Sequence, residues 1–199
     1  MSDEPDARRR RTLPSLALPS LLLPMLGAGV TAVPAGARGD SRTLVAFLSR
    51  SGNTRVIAGQ LQRRFDADIF EVRTREPYPA DYEETVARAQ RERDALATPA
   101  LAERVPEVGR YETVFLGFPI WGMALPAPVR TFLVTHDLAG RTLVPFITHG
   151  GYGVGSAPDS LAELAPGARI VTPFVLEADQ ERATMNAVTA WLRTVEPEL

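Results

Sequence analysis

The feature that most constrains the fold is an alternation that begins at Thr43. Short apolar runs, each long enough for one strand, are separated by segments with helical periodicity. Thr43 to Ser49 (TLVAFLS) is the first run, and its lack of polar alternation suits a strand buried on both faces. Thr54 to Phe65 follows, with Ile57, Ala58, Leu61 and Phe65 on one helical stripe. Asp68 to Val72 is the second strand. Asp81 to Leu96 is the next helix, with Asp81 as its cap and Tyr82, Val86 and Ala89 as its expected inner stripe. Thr113 to Phe118 and Thr142 to Thr148 are further buried strands, separated by a helix that Pro126 and Pro128 open and that runs through Val134. Ser156, with Asp159 three residues on, suits a capping box for a helix through Leu164. Arg169 to Leu176 is the fifth strand. Asp179 is the expected cap of a last helix with Met185, Val188, Leu192 and Val195 in one stripe.

Strand and helix in strict alternation imply an α/β fold, a mostly parallel sheet with helices on both faces. The order 2-1-3-4-5 puts the fifth strand at an edge. Pro173 fits that place, because proline cannot donate to a ladder. In such sheets ligands sit beyond the strand C-termini, where the winding reverses. The polar loops after strands one, three and four are therefore the candidate site.

The first of these loops carries Ser49, Arg50, Ser51, Gly52, Asn53 and Thr54. Gly52 allows a positive φ, so successive N–H groups can turn inward, and the helix dipole behind favours an anion. Hydroxyls and the Asn53 amide add donors. The loop lacks the Gly-Lys-Ser/Thr of a nucleotide triphosphatase and the Gly-x-Gly-x-x-Gly of an extended dinucleotide site. Alone, the stretch reads equally as a phosphate cradle or as a simple cap. After strand three come Pro119, Ile120, Trp121 and Gly122; after strand four come Thr148, His149, Gly150, Gly151, Tyr152 and Gly153. Trp121 and Tyr152 on neighbouring loops could sandwich a planar ring. The alternatives are core packing for Trp121 and a surface loop for Tyr152.

Composition narrows the chemistry. The chain has no cysteine and two histidines, which removes thiol nucleophiles and argues against a transition-metal site. All 22 basic residues are arginine, and the net charge of -2 gives no basic field for nucleic acid. His136 reads as a surface residue near a helix end, and the run from Ala87 to Asp94 as a solvated face of alternating charge. Receiver domains share this topology, but the acidic cluster and lysine they need do not occur in this chain.

The N-terminus reads as a targeting segment. Arg8 to Arg11 precede an apolar stretch broken by Pro14, Pro19 and Pro24, and Ala35-Gly36-Ala37 suits signal peptidase. We expect residues 1–37 to be a cleavable, twin-arginine-like signal, with export to the periplasm or beyond and no stable membrane anchor in the mature form. Residues 38–199 then form the folded domain.

Taken together, Ser49-x-Ser51-Gly52-Asn53-Thr54, Tyr78-Pro79-x-x-Tyr82, Pro119-Ile120-Trp121-Gly122, "PVRTFL" and Thr148-His149-Gly150-Gly151 resemble the bacterial flavodoxin-like family, over nearly everything from Leu44 to Leu199. The resemblance implies a flavodoxin-like three-layer sandwich of the short-chain form and flavin mononucleotide (FMN) as cofactor. It implies that the Ser49–Thr54 loop holds the ribityl phosphate, that Trp121 stacks on the isoalloxazine, and that Thr148 to Gly153 line its other edge. The chain departs from the pattern at His149, where relatives often carry a small polar residue, and at Gly122, where many carry a second tryptophan. The leading expectation is an electron carrier serving a redox protein or a small-molecule acceptor. The alternatives are an NAD(P)H-dependent flavin or quinone reductase and a flavin-less binding module.

Overall fold

A computed structural model describes residues 41–177 and 181–198; the expected signal segment, residues 1–37, and the proposed cap Asp179 lie outside the described residues. The elements run β1 (Thr43–Phe47), α1 (Asn53–Phe65), β2 (Asp68–Glu71), α2 (Tyr82–Asp94), β3 (Thr113–Pro119), α3 (Ala127–Thr135), β4 (Thr142–His149), α4 (Ala157–Leu164), β5 (Arg169–Ile170), β6 (Phe174–Glu177) and α5 (Glu181–Val195). All strand pairs are parallel, in the order β2-β1-β3-β4-β5, with β6 also on β4. This is the three-layer flavodoxin-like α/β sandwich.

The alternation of side chains along β1 shows why both faces are covered. Leu44, Ala46 and Leu48 enter one core with Val114, Leu116, Phe118, Phe132 and Leu161. Val45 and Phe47 enter the other with Ile57, Leu61, Phe115, Phe146 and Leu192. Phe115, Phe118, Phe132 and Phe146 are fully buried. Each contributes roughly 1.5–3 kcal/mol by burial. On α5, Val188, Leu192 and Val195 are buried as expected.

The expected fifth strand is two short ones. Thr142 pairs with Arg169, and Leu143 with Ile170; after the gap, Phe146 pairs with Phe174. The offset grows from 27 to 28, so the edge strand carries one extra residue between Ile170 and Phe174. The Leu143 carbonyl accepts from Val171 N–H at 3.0 Å, so Leu143 faces the edge. Alternate residues face the same neighbour, and Pro145 must therefore face it too. Pro145 and Pro173 both lack a donor, and the ladder breaks where the two prolines stand.

Three local expectations are corrected. His136 is buried, not at the surface. Its Nε2 accepts from Val105 N–H at 3.1 Å, its Nδ1 lies 2.8 Å from the Phe132 carbonyl, and its ring stacks on Phe132 at 4.3 Å. A carbonyl only accepts, so Nδ1 carries the hydrogen and the ring is held as one neutral tautomer. Burial accordingly pushes its pKa below the ordinary value. Ser156 precedes α4 without a side-chain capping bond; its N–H and its hydroxyl both point to the Met123 carbonyl, at 3.0 and 3.4 Å. Asp81 does cap α2, accepting from Glu84 N–H at 2.9 Å. Two of the three residues of the expected inner stripe of α2, Tyr82 and Val86, are turned outward, however, while Ala89 is half-buried. Tyr82 and Val86 are 62% and 41% exposed, while Thr85 is the buried residue.

Candidate functional site

The loops after β1, β3 and β4 converge at the C-terminal edge of the sheet. Leu48 N–H donates to the Gly117 carbonyl at 2.8 Å, and Ile120 N–H donates to the Thr148 carbonyl at 2.8 Å. The buried hydroxyls of Thr54 and Thr148 meet at 3.0 Å, tying the start of α1 to the end of β4. The site thus stands at the reversal between β1 and β3, where open sheets accept ligands.

Gly52 adopts φ 102, a left-handed conformation that glycine tolerates and other residues resist. This residue turns the chain into α1. Ser49 Oγ accepts from Gly52 N–H at 3.2 Å and from Arg55 N–H at 3.3 Å. With two donors aimed at its oxygen, the Ser49 hydroxyl keeps its own hydrogen for an outside acceptor. The amides of Asn53 and Thr54 lie in the first helical turn, which has no intrahelical acceptor for them. Ser51 is exposed and Asn53 is half-buried. The loop therefore presents backbone and hydroxyl donors at a helix N-terminus, the chemistry that receives a phosphate. The Thr54 hydroxyl, expected as a further donor, contacts Thr148; where Thr148 donates in that bond, the Thr54 hydrogen stays available to a ligand. Arg55 pairs bidentately with Glu71, at 2.5 and 3.1 Å. Arg50 donates to the Ala80 carbonyl at 3.3 Å and leans over the Tyr82 ring at 5.4 Å.

Trp121 begins a tight turn. Its N–H and carbonyl exchange 3.2 Å bonds with those of Ala124, and the inner residues Gly122 and Met123 have φ 57 and 63. Two positive φ angles make this a mirror-image turn, which favours glycine. The indole is half-buried, and its aromatic neighbour is Tyr78, edge-on at 5.0 Å. Tyr78 is itself clamped. Its hydroxyl donates to Glu92, Arg88 covers its ring at 4.2 Å, and Arg88 Nε bonds Glu92 at 2.8 Å. Burial first, and then Glu92, push the Tyr78 pKa well up. Arg88 and Glu92 keep only 14% and 13% of their side-chain surface exposed. The expectation of a solvated face on α2 fails at these two residues, because an arginine can lay its stem and guanidinium on an aromatic ring when a carboxylate holds the fork. A tyrosine in the preceding loop, with Arg and Glu at i and i+4 on the helix, was the available signal.

Two clefts meet at Trp121. One, of about 530 Å³, lies among Leu48, Ser49, Arg50, Val72, Tyr78 and Trp121. The other, of about 360 Å³, lies between Trp121 and the outward face of α2. On the β4 loop, His149 Nδ1 accepts from Gly151 N–H at 3.1 Å and from Gly153 N–H at 3.4 Å, so the histidine braces the turn. Tyr152 is 84% exposed. Pro119 ends β3, and Gly150 is exposed on the loop that follows β4. Among the described residues no group of histidines and carboxylates could hold a metal ion, and no helix is long and apolar enough to cross a membrane.

The flavodoxin family model matches residues 42–195, most of the chain. The chain belongs to the flavodoxin family. Among solved structures, a candidate flavoprotein of Bacteroides eggerthii DSM 20697 is 29% identical, with a TM-score of 0.66 over 77% of this chain and 97% of its own. One from Bacteroides uniformis ATCC 8492 is 28% identical, with a TM-score of 0.66 over 76% and 97%. A flavoprotein of Lactobacillus acidophilus NCFM, solved in complex with FMN, is 21% identical and shares the flavodoxin fold, with a TM-score of 0.60 over 72% of this chain and 97% of its own. No functionally curated protein matches the sequence.

Proposed function

We propose that this flavodoxin-family protein binds FMN and carries electrons. One observation carries the reading: the donor-rich turn Ser49–Thr54, with Gly52 at φ 102, opens α1 at the reversal point of the sheet, next to Trp121 and the β4 loop. The family and the Bacteroides flavoproteins support it, and the same fold holds FMN in the Lactobacillus protein. The residues present fit the group. Ser49, Ser51, Asn53 and the first-turn amides would hold the phosphate, and Arg50 stands beside them as a cation. Pro119 to Gly122 and Thr148 to Gly153 would border the ring system, with Trp121 as the stacking surface.

When bound, FMN supplies one- and two-electron chemistry. The chain's part is to hold the group and set its surroundings. Tyr78, Arg88 and Glu92 fix the Trp121 plane. Gly122 and Met123 aim the Trp121–Ala124 turn, and His149 braces the β4 loop. The electron-rich indole face disfavours added electron density on a ring stacked against it. A second reading, an NAD(P)H-dependent reductase, requires one ring face open to a nicotinamide, and Tyr152 on the β4 loop is the residue whose place over the bound ring decides between the two. The test is purification in the presence of FMN, the visible absorption spectrum, and NADPH oxidation followed with and without added acceptor. A flavin spectrum with slow NADPH oxidation supports the carrier; fast, saturable oxidation supports the reductase; no flavin uptake refutes both.

Export is part of the proposal and rests on residues 8–37 of the sequence. Replacing Arg8 to Arg11 by lysine should trap the precursor in the cytoplasm. Normal export of that variant would exclude a twin-arginine route.

A further inference from the structure

We propose that the outward face of α2, together with Arg50 and Arg93, is a second binding site, for a planar aromatic anion. This extends the flavin reading: the cleft shares Arg50, Ile120, Trp121 and Gly122 with the residues proposed to border FMN, while its walls on α2, from Tyr82 to Arg93, have no part in that reading. Tyr82, Val86 and Ala89 have the spacing of a buried stripe, yet they do not enter the core; α2 packs through Thr85, Arg88 and Glu92 instead. The apolar stripe forms the wall of the cleft of about 360 Å³, whose opposite side is Ile120, Trp121 and Gly122. That volume is in the range of small-molecule sites, at roughly 300–1,000 Å³.

Charge defines what the cleft can take. Arg50 and Arg93 line it, with Gln90, and no carboxylate is among its lining residues. Asp94 holds Arg93 through Nε, at 3.4 Å, while Nη1 of the same guanidinium lies against Gly122, so close that a Cβ there would collide with it. The end of the fork therefore faces the cleft. Arg50 leans on Tyr82 at 5.4 Å from the other end. A cation would be repelled, and a neutral ring would strip water from two guanidiniums without replacing it. Bare phosphate would leave the tyrosine, valine and indole surfaces wet. A flat ring system bearing a carboxylate or sulfonate satisfies both, stacking on the aromatic walls while the arginines bind its anion. The cleft touches the phosphate loop at Arg50 and shares Trp121 with its neighbour, but Ser51 to Thr54 are not among its lining residues.

The experiment is calorimetric titration of the full protein with naphthalene-2-sulfonate, both flavin-free and saturated with FMN, with neutral 2-naphthol as control. One-to-one binding of the sulfonate is expected in both forms, at least tenfold tighter than the alcohol. Arg93→Gln and Val86→Glu should each weaken it tenfold or more; Val86 is 41% exposed, so its variant keeps the fold. Absence of binding, indifference to both substitutions, or displacement of the sulfonate by FMN would overturn the proposal. If the protein takes up no FMN, the flavin reading falls, while the titration of the flavin-free protein still decides the cleft.

Discussion

The hydroxyl of Thr54, on the first turn of α1, meets the hydroxyl of Thr148, near the end of β4, at 3.0 Å, and both residues are buried. The bond spans 94 positions of sequence and joins two of the three loops of the site. Thr54→Val leaves the Thr148 hydroxyl buried and without that partner, which costs about 1–3 kcal/mol. Denaturant unfolding of the flavin-free protein should show that loss. In Thr54→Val/Thr148→Val the combined loss should be clearly smaller than the sum. Additive losses would mean that the two hydroxyls do not act as a pair.

Trp121 depends on Tyr78 for its setting. Tyr78→Leu removes the edge contact and the ring under Arg88, interactions worth roughly 0.5–1.5 kcal/mol each. FMN affinity should fall about three- to tenfold, with a changed indole fluorescence. Tyr78→Phe keeps the ring and should retain most of the affinity. Equal effects of the two variants would assign the role to the hydroxyl and Glu92.

At Gly122 two constraints coincide, φ 57 and the Arg93 guanidinium. Gly122→Val should cost at least about 1–2 kcal/mol for the left-handed backbone alone, before the side chain displaces Arg93. A shifted flavin reduction potential is expected in the folded variant, measured against wild type by dye equilibration. An unchanged potential together with unchanged stability would show that this turn does not need glycine.

His136 makes stability pH-dependent on the acid side. Burial lowers its pKa in the folded state, so the neutral ring is favoured there. Its contribution is present above the unfolded value of 6.5 and is lost as pH falls through the lowered folded value. Thermal melts from pH 7.5 to 5 should therefore show a loss that His136→Gln reduces. An identical acid profile in that variant would shift the cause to other groups.

Tyr78 and Tyr111, a buried residue just before β3 whose hydroxyl donates to Asp68 at 2.8 Å, act on the alkaline side. Burial, first among the causes, raises both above the ordinary 10.0, so the folded state holds protons that the unfolded chain releases. Stability should fall as pH rises past about 10. Tyr78→Phe should flatten part of that fall, read by melts between pH 9 and 11.

The order of elements was legible in the sequence because buried parallel strands are apolar on both faces, and a hydrophobic run records that directly. Gly52 was legible for a related reason: one loop position required a left-handed turn, and glycine marks it. The place of Pro173 at an edge followed from its missing donor. Sequence alone did not show which way α2 faces. Tyr82, Val86 and Ala89 have the period of a core stripe, and periodicity tells that a helix has two faces but not which one the sheet covers. In the fold Arg88 and Glu92 lie inward against Tyr78, through a ring contact and hydrogen bonds that no hydropathy pattern encodes. His136 was misread for the same reason, since its partners Val105 and Phe132 satisfy a buried imidazole only once α3 is packed. The sequence determined the layers, the loops and the donor chemistry of the site. Tertiary structure alone decided which polar groups face inward, because their burial depends on partners brought together by the fold.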